Sequence, residues 1–221
     1  MKHMVATAAV TLTAALVGAA PAMADDNTDA SDFTGETVTA QYTPQTVETC
    51  TDPSVAPLLA DQKDDGLYFV APGGDFEQGA DGWTLEGGAQ ITFGSSAFAP
   101  LGSGQRSLQL PAGATATSPA FCVDERFPHF RIAGGNLGVD KAKIRVSVVY
   151  PGLTKNVRHA EDLDVDHKDA WKLSKKIKVQ PNYGRKVGGW RLVALRFEVE
   201  DAKDGVDARV DDILVDPKMR Y

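Results

Sequence analysis

The stretch AKIRVSVVY (142–150) alternates without a break: Ala142, Ile144, Val146 and Val148 fall on one side of an extended chain, and Lys143, Arg145 and Ser147 on the other. A period of two with one apolar side reads as a strand lying on a core. RLVALRFEV (191–199) repeats the pattern, with Val193, Leu195, Phe197 and Val199 opposing Leu192, Ala194, Arg196 and Glu198. Outward from these two, LYFV (67–70), WTLEG (83–87), AQITF (89–93), RSLQL (106–110), TATSPAFCV (115–123), FPHFRIA (127–133), WKLSKKIKV (171–179) and ARVDDILV (208–215) have strand length and strand residues, separated by Gly, Pro and Asp turns. No segment offers a long amphipathic helix with caps. About eight to ten short strands at this spacing predict an all-β protein, an antiparallel sandwich or barrel.

The 221 residues suit one sizeable domain with accessory segments. A formal net charge of −7 and a pI near 5.1 exclude the basic footprint of a nucleic-acid binder and an electrostatic hold on anionic lipid. At the N-terminus, Lys2 and His3 precede an apolar run from Met4 to Ala20 and the small-residue site Ala22-Met23-Ala24. This reads as an export leader over 1–24, cleaved before Asp25, with no membrane contact afterwards. Residues 25–49 are rich in Asp and Thr and have no apolar period, so a disordered tail or linker is expected there. Residues 50–65 read as an extended arm with a small apolar patch, Val55 to Leu59, and 66–217 as the sandwich domain. Cys50 and Cys122 are the only cysteines, and an even pair in an exported chain predicts a disulfide tying the arm to the domain. It would close a loop of about 70 residues, worth roughly 4 kcal/mol on the chain-entropy model.

Two acidic motifs stand at the ends of the domain. In PGGDFEQGADGW (72–83), Gly73 and Gly74 allow a sharp turn, and Asp75 and Glu77 flank a Phe76 that points inward. In RVDDILVDP (209–217), Asp211 is in phase with Ile213 and Val215, the expected core side, where a carboxylate needs a partner. GGDFEQGADGWTLEGGA (73–89) and RVDDILVDP resemble the ends of calcium-binding jelly-roll carbohydrate-binding modules of glycoside hydrolases, galactose-binding-like sandwiches. In these the first strand carries a G-x-F-E type motif and a G-W, and the last a D-D between apolar residues. RSLQLPAGATATSPAFCV, FPHFRI and WKLSKKIKV resemble an uncharacterised family of secreted bacterial proteins of that fold. The resemblance spans about residues 66 to 217. It implies a structural calcium held by the backbone carbonyl of Asp75 and the carboxylates of Glu77 and Asp211. On the residues alone, Glu77 and Asp211 either ligate such an ion or pair with Arg106 or Arg209.

Sugar-binding surfaces stack aromatic rings on pyranoses and orient hydroxyls with planar polar groups. Trp83, Trp171 and Trp190 each begin a strand and are expected to fill the core. That leaves Tyr183, in the loop QPNYGRKVGG (180–189), and Tyr150, before the turn Pro151-Gly152, as the rings to be presented, with Asn182 and Arg185 as polar neighbours. Arg131, Arg145 and Arg196 lie on expected sheet faces and could frame a polar groove. EDLDVDHKD (161–169) has acids at alternate positions, but His167 stands where a calcium loop needs Gly and Leu173 where it needs Glu, so an acidic solvated loop is expected. No nucleophile–base or metalloprotease motif occurs, and no enzyme is expected. Two readings follow: a non-catalytic module binding an extracellular polysaccharide, or a secreted structural or protein-interaction domain on the same fold. An exposed aromatic on a sheet face or loop rim separates them.

Overall fold

In the computed structural model, residues 49–98, 104–153, 156–166, 171–180, 182–200 and 205–216 are described. The expected leader, the tail as far as Glu48, and Pro217 lie outside them. Among the described residues, two antiparallel sheets hold fourteen strands. The first contains β1 (Phe69–Val70), β3 (Gln90–Phe93), β4 (Arg106–Pro111), β7 (His129–Asn136), β10 (Lys172–Leu173), β11 (Ile177–Lys178) and β14 (Asp207–Asp216). The second contains β2 (Thr84–Glu86), β5 (Thr115–Thr117), β6 (Phe121–Val123), β8 (Ala142–Val149), β9 (Val157–Val165), β12 (Lys186–Val187) and β13 (Trp190–Val199).

The orders are β10-β7-β14-β4-β3 and β2-β5-β13-β8-β9. The chain passes repeatedly between the sheets, among others from β4 to β5, β7 to β8 and β13 to β14, and the sandwich is a jelly roll. The sequence alternation explains the layering. Val193, Leu195, Phe197 and Val199 of β13 and Ile144, Val146 and Val148 of β8 meet Leu108, Leu110, Ile132, Val210 and Ile213 of the facing sheet in one continuous core. Trp83 joins it, with its ring 5.1 Å from Phe76 and 6.1 Å from Phe197, and its Nε1 donates to the Pro72 carbonyl at 3.2 Å.

Three departures from the sequence reading have local causes. TATSPAFCV forms two strands, because Pro119 has no amide to donate. β5 and β6 pair with the same edge of β13, and Ser118 bridges the gap through its amide to Leu195 O and its Oγ from Leu195 N. The acidic run 161–165 is part of β9 rather than a solvated loop: Leu163 and Val165 are buried, while Asp162 and Asp164 point outward. His167 lies outside the described residues. In β14 the register against β7 shifts between Asp211 and Leu214, and Asp212 takes φ +47°. This bulge corrects the expected phase of Asp211. Val210 and Ile213 both face the core, and Asp211 sides with Arg209 on the outer face.

The arm packs on that outer face. Leu59, Tyr68, Val70 and Leu214 form a second apolar cluster. Beside it, Asp64 accepts from Tyr68 Oη at 2.8 Å and pairs with Arg131 at 2.8 Å. Burial alone would raise the Asp64 pKa, but the Gly66 amide, the Tyr68 hydroxyl and the Arg131 charge together hold it below the ordinary carboxylate value. The Cys50–Cys122 disulfide anchors the arm to β6, spanning 72 residues of sequence. Cys50→Ala is therefore expected to lower the unfolding free energy by roughly 4 kcal/mol on the chain-entropy model, read from urea titration. Peptide mapping without reductant should recover the crosslinked pair. An unchanged midpoint in the variant would show that the arm holds without its bridge.

Candidate functional site

Three surfaces carry polar chemistry. The first is an acidic corner, where the turn after β1 docks on the bulge of β14. Gly74 donates to Ala71 O at 2.8 Å and accepts from Ile213 N at 3.0 Å, and a Cβ on Gly74 would lie 2.9 Å from that of Ile213. Only glycine allows this approach. Phe76 is fully buried in a left-handed conformation, φ +55°, which turns Asp75 and Glu77 away from it. Glu77 Oε1 accepts from the amides of Gln105 and Arg106, at 2.8 Å each. Asp211 Oδ2 accepts from Ser96 N at 2.7 Å and Ser95 Oγ at 3.0 Å, and Oδ1 from Asp212 N at 2.9 Å. The Ser96 hydroxyl donates to Asp212.

Both aspartates are almost sealed from solvent, at 1% and 5% exposure. Burial and then the neighbouring Asp212 charge push Asp211 up to about 8. Burial raises Asp212 as well, with Asp75 and Glu77 adding to the effect, and burial raises Asp75. The corner thus gathers the three residues expected to serve calcium and adds three that sequence reasoning missed: Asp212, Ser95 and Ser96. Among the described residues no three carboxylate, imidazole or thiol groups converge closely enough to enclose an ion.

The second surface is the loop around Tyr183. Tyr150 is not presented: it is buried at 1% exposure, and its hydroxyl donates to Val179 O at 3.3 Å. Val179, Gln180, Tyr183 and Gly184 lie against it, and this coverage corrects the expectation drawn from its place before a turn. Tyr183 is 40% exposed, but the guanidinium of Arg158 sits 3.9 Å from its ring centroid and the Tyr150 ring 5.8 Å away. Asn182 and Arg185 are exposed beside it.

The third surface is the uncovered half of the first sheet's outer face. Trp171 is half-exposed rather than in the core. Its ring lies against the backbone of Gly135, where a Cβ would come within 3.0 Å of it. The Arg209 guanidinium is 5.9 Å from the Trp171 ring centroid and donates to Gly94 O at 3.4 Å. Gly135, Asn136, Trp171 and Arg209 line a cleft of about 50 Å³, room for small polar groups such as hydroxyls. Asp207 of β14, Gln109 of β4 and Gln90 of β3 continue the face. One signal in the sequence pointed here: paired glycines, Gly134-Gly135, inside a strand mark a place where another group approaches the backbone. Trp190, by contrast, packs at the core margin, with Phe127 at 6.3 Å and Arg126 over its ring at 5.0 Å.

The three candidate arginines do not frame one groove. Arg131 is under the arm, paired with Asp64. Arg145 and Arg196 lie on the outer face of the other sheet, in a ladder of ion pairs: Arg145 with Glu200 and, at 3.9 Å, with Asp162; Arg196 with Glu198 at 3.8 Å. Such half-exposed pairs stabilise little.

No family model matches the chain, and no curated protein sequence matches it. Among solved structures it is similar to the CBM22-1–GH10 modules of Clostridium thermocellum endo-1,4-β-D-xylanase 10B complexed with xylohexaose, at 17% identity and TM-score 0.42, covering 66% of this chain and 28% of that one. It is similar to a xylan-binding domain of carbohydrate-binding family 22, at 16% identity and TM-score 0.45, covering 72% and 99% of the two chains. A family 61 module in complex with β-1,4-galactotriose gives 16% identity and TM-score 0.41, covering 66% and 97%. Each likeness is one of fold, and the fold assignment itself rests on the sheet topology.

Proposed function

We propose that the chain is a secreted, non-catalytic carbohydrate-binding domain whose ligand is an extracellular polysaccharide, held on the open half of the first sheet's outer face. One observation carries the reading: a half-exposed indole seated on a glycine backbone, beside a guanidinium and a small polar cleft. An aromatic face stacks on the apolar face of a pyranose, and planar amides and guanidinium groups meet its hydroxyls. The chemistry on offer is stacking and hydrogen bonding rather than proton transfer. Stacking on one ring contributes on the order of 1 kcal/mol, so a single site binds weakly. Tyr183, with Asn182 and Arg185, is the second candidate, and its ring becomes available to a sugar only if Arg158 moves aside. The leader-like N-terminus and the disulfide support export.

At the acidic corner the proposal includes a structural calcium. The donors fit a hard cation, being oxygens throughout, and the buried Asp211–Asp212 pair has charge that needs compensation. The Glu77 and Asp211 carboxylates and the Asp75 carbonyl would hold it, and the ion would supply that compensation.

Native gels cast with soluble xylan or galactan test the binding face. Trp171→Ala should weaken retention about five-fold at nearly constant melting temperature, while Tyr183→Ala should leave retention unchanged. The reverse pattern moves the site to the loop, and wild-type protein that retains on neither polymer favours the interaction-domain reading. The corner is tested by pH. The folded-state pKa of Asp211 lies above its unfolded value of 3.8, so its stabilising contribution is complete below about pH 4 and is lost as pH rises through about 8. Calcium should flatten that decline and raise the melting temperature, and Asp211→Asn should flatten it without calcium. If chelator and calcium give one melting curve at every pH, the corner holds no ion.

A further inference from the structure

On the open half of the outer face, four strands of the first sheet contribute one residue each to a straight row. Gln90 of β3 is the register partner of Gln109 of β4, Gln109 that of Arg209 of β14, and Arg209 that of Gly135 of β7, beneath the Trp171 ring. The row crosses three interstrand steps, about 14 Å in all. β3 and β10 are the outer strands of this sheet, so the row runs from one margin of the face to the other.

The side chains in the row are oriented. Gln109 Nε2 donates to Asp207 Oδ2 at 2.6 Å, and Gln90 Nε2 donates to Gln109 Oε1 at 3.0 Å. An ionised carboxylate only accepts, so Asp207 dictates that Gln109 turns its NH₂ toward β14 and its carbonyl toward β3. Gln90 must then offer its NH₂ in turn. With these bonds made, each amide keeps one N–H, Gln90 keeps a whole carbonyl, and Gln109 keeps one lone pair. Donors and acceptors therefore alternate along the face, which suits hydroxyl groups that both donate and accept. The row and the neighbouring Asp207 carry one charge of each sign. The Arg209 guanidinium is engaged by Gly94 O and lies near the indole, and Asp207 supplies the opposite sign.

We infer that this row, if the binding reading above holds, extends the Trp171 cleft into successive subsites for an internal stretch of a linear, uncharged polysaccharide lying across the strands. Gln90 and Gln109 contact its hydroxyls, and Asp207 is a positioning residue that acts through Gln109. A solvated sheet face needs no such ordered chain of amides, and a row reaching across the strands from β3 to the indole beside β10 suits the interior of a chain better than its end.

The experiment is affinity electrophoresis on xylan, galactan and polygalacturonate, followed by calorimetry with a disaccharide, tetrasaccharide and hexasaccharide of the retained polymer. Retention on a neutral polymer and not on polygalacturonate is expected, with affinity rising from disaccharide to hexasaccharide. Gln90→Ala and Gln109→Ala should each weaken hexasaccharide binding about three- to ten-fold and leave the disaccharide unaffected. Asp207→Ala should match Gln109→Ala and add nothing to it in the double variant. If Trp171→Ala weakens retention while the glutamine variants bind hexasaccharide as wild type does, the row is inert and the binding reading survives. Equal retention on polygalacturonate overturns the uncharged class. No retention on any polymer removes both proposals. Gln90 is exposed, so its variant keeps the test valid even if a half-buried Gln109→Ala fails to fold.

Discussion

Two adjacent carboxylates cannot sit in the most buried strand of a sandwich unless the strand leaves its own period. The bulge in β14 is that departure. It keeps Val210 and Ile213 in the core while Asp211 moves outward beneath Ser95 and Ser96. The Gly-rich turn fits around the same feature: the Ile213 amide donates to Gly74 O, the Ile213 carbonyl accepts from Ala71 N, and Phe76 of the turn is buried in the core. Because β14 also pairs with β1, β4 and β7, the bulge fixes where the first strand, the arm and the open outer face lie relative to one another.

The arm then divides that face. One half carries the Leu59–Tyr68–Leu214 cluster and the Asp64–Arg131 pair, and cannot receive a ligand. The other half keeps Trp171, Arg209 and the glutamine row. The same sheet thus serves stability at one end and, on the proposed reading, recognition at the other, with the boundary set by how far the arm reaches.

Most of the fold was legible in the sequence because half-buried strands announce themselves by alternation. β8 and β13 follow the expected phase along their length, and the all-β class follows from them. The disulfide was legible for a chemical reason, an even pair in a chain read as exported. Asp211 was assigned to the wrong face because a bulge inserts one residue and reverses every phase beyond it, and nothing in RVDDILVDP marks it locally. Trp171 was assigned to the core because an aromatic at a strand start usually belongs there. Its position depends on Gly135, which lies in a strand 36 residues upstream and is visible only through pairing. The place of Tyr150 before a turn predicts exposure, yet Val179, Gln180 and Tyr183, about thirty residues on, pack against it. Sites formed by side chains from distant strands have no signature along the chain.

The position of Cys50 also governs how the domain bears load. Tension applied through the segment before Cys50 enters the disulfide, passes to Cys122, and reaches β6 in the second sheet without stretching the 71 residues between them. Those residues include β1 to β5, with the glycine-rich turn, Gln90 and Gln109. A protein pulled by its N-terminal side would therefore keep half of the glutamine row slack while β6 and β13 take the strain, so the face would keep its shape under a force that would otherwise peel the first strands away.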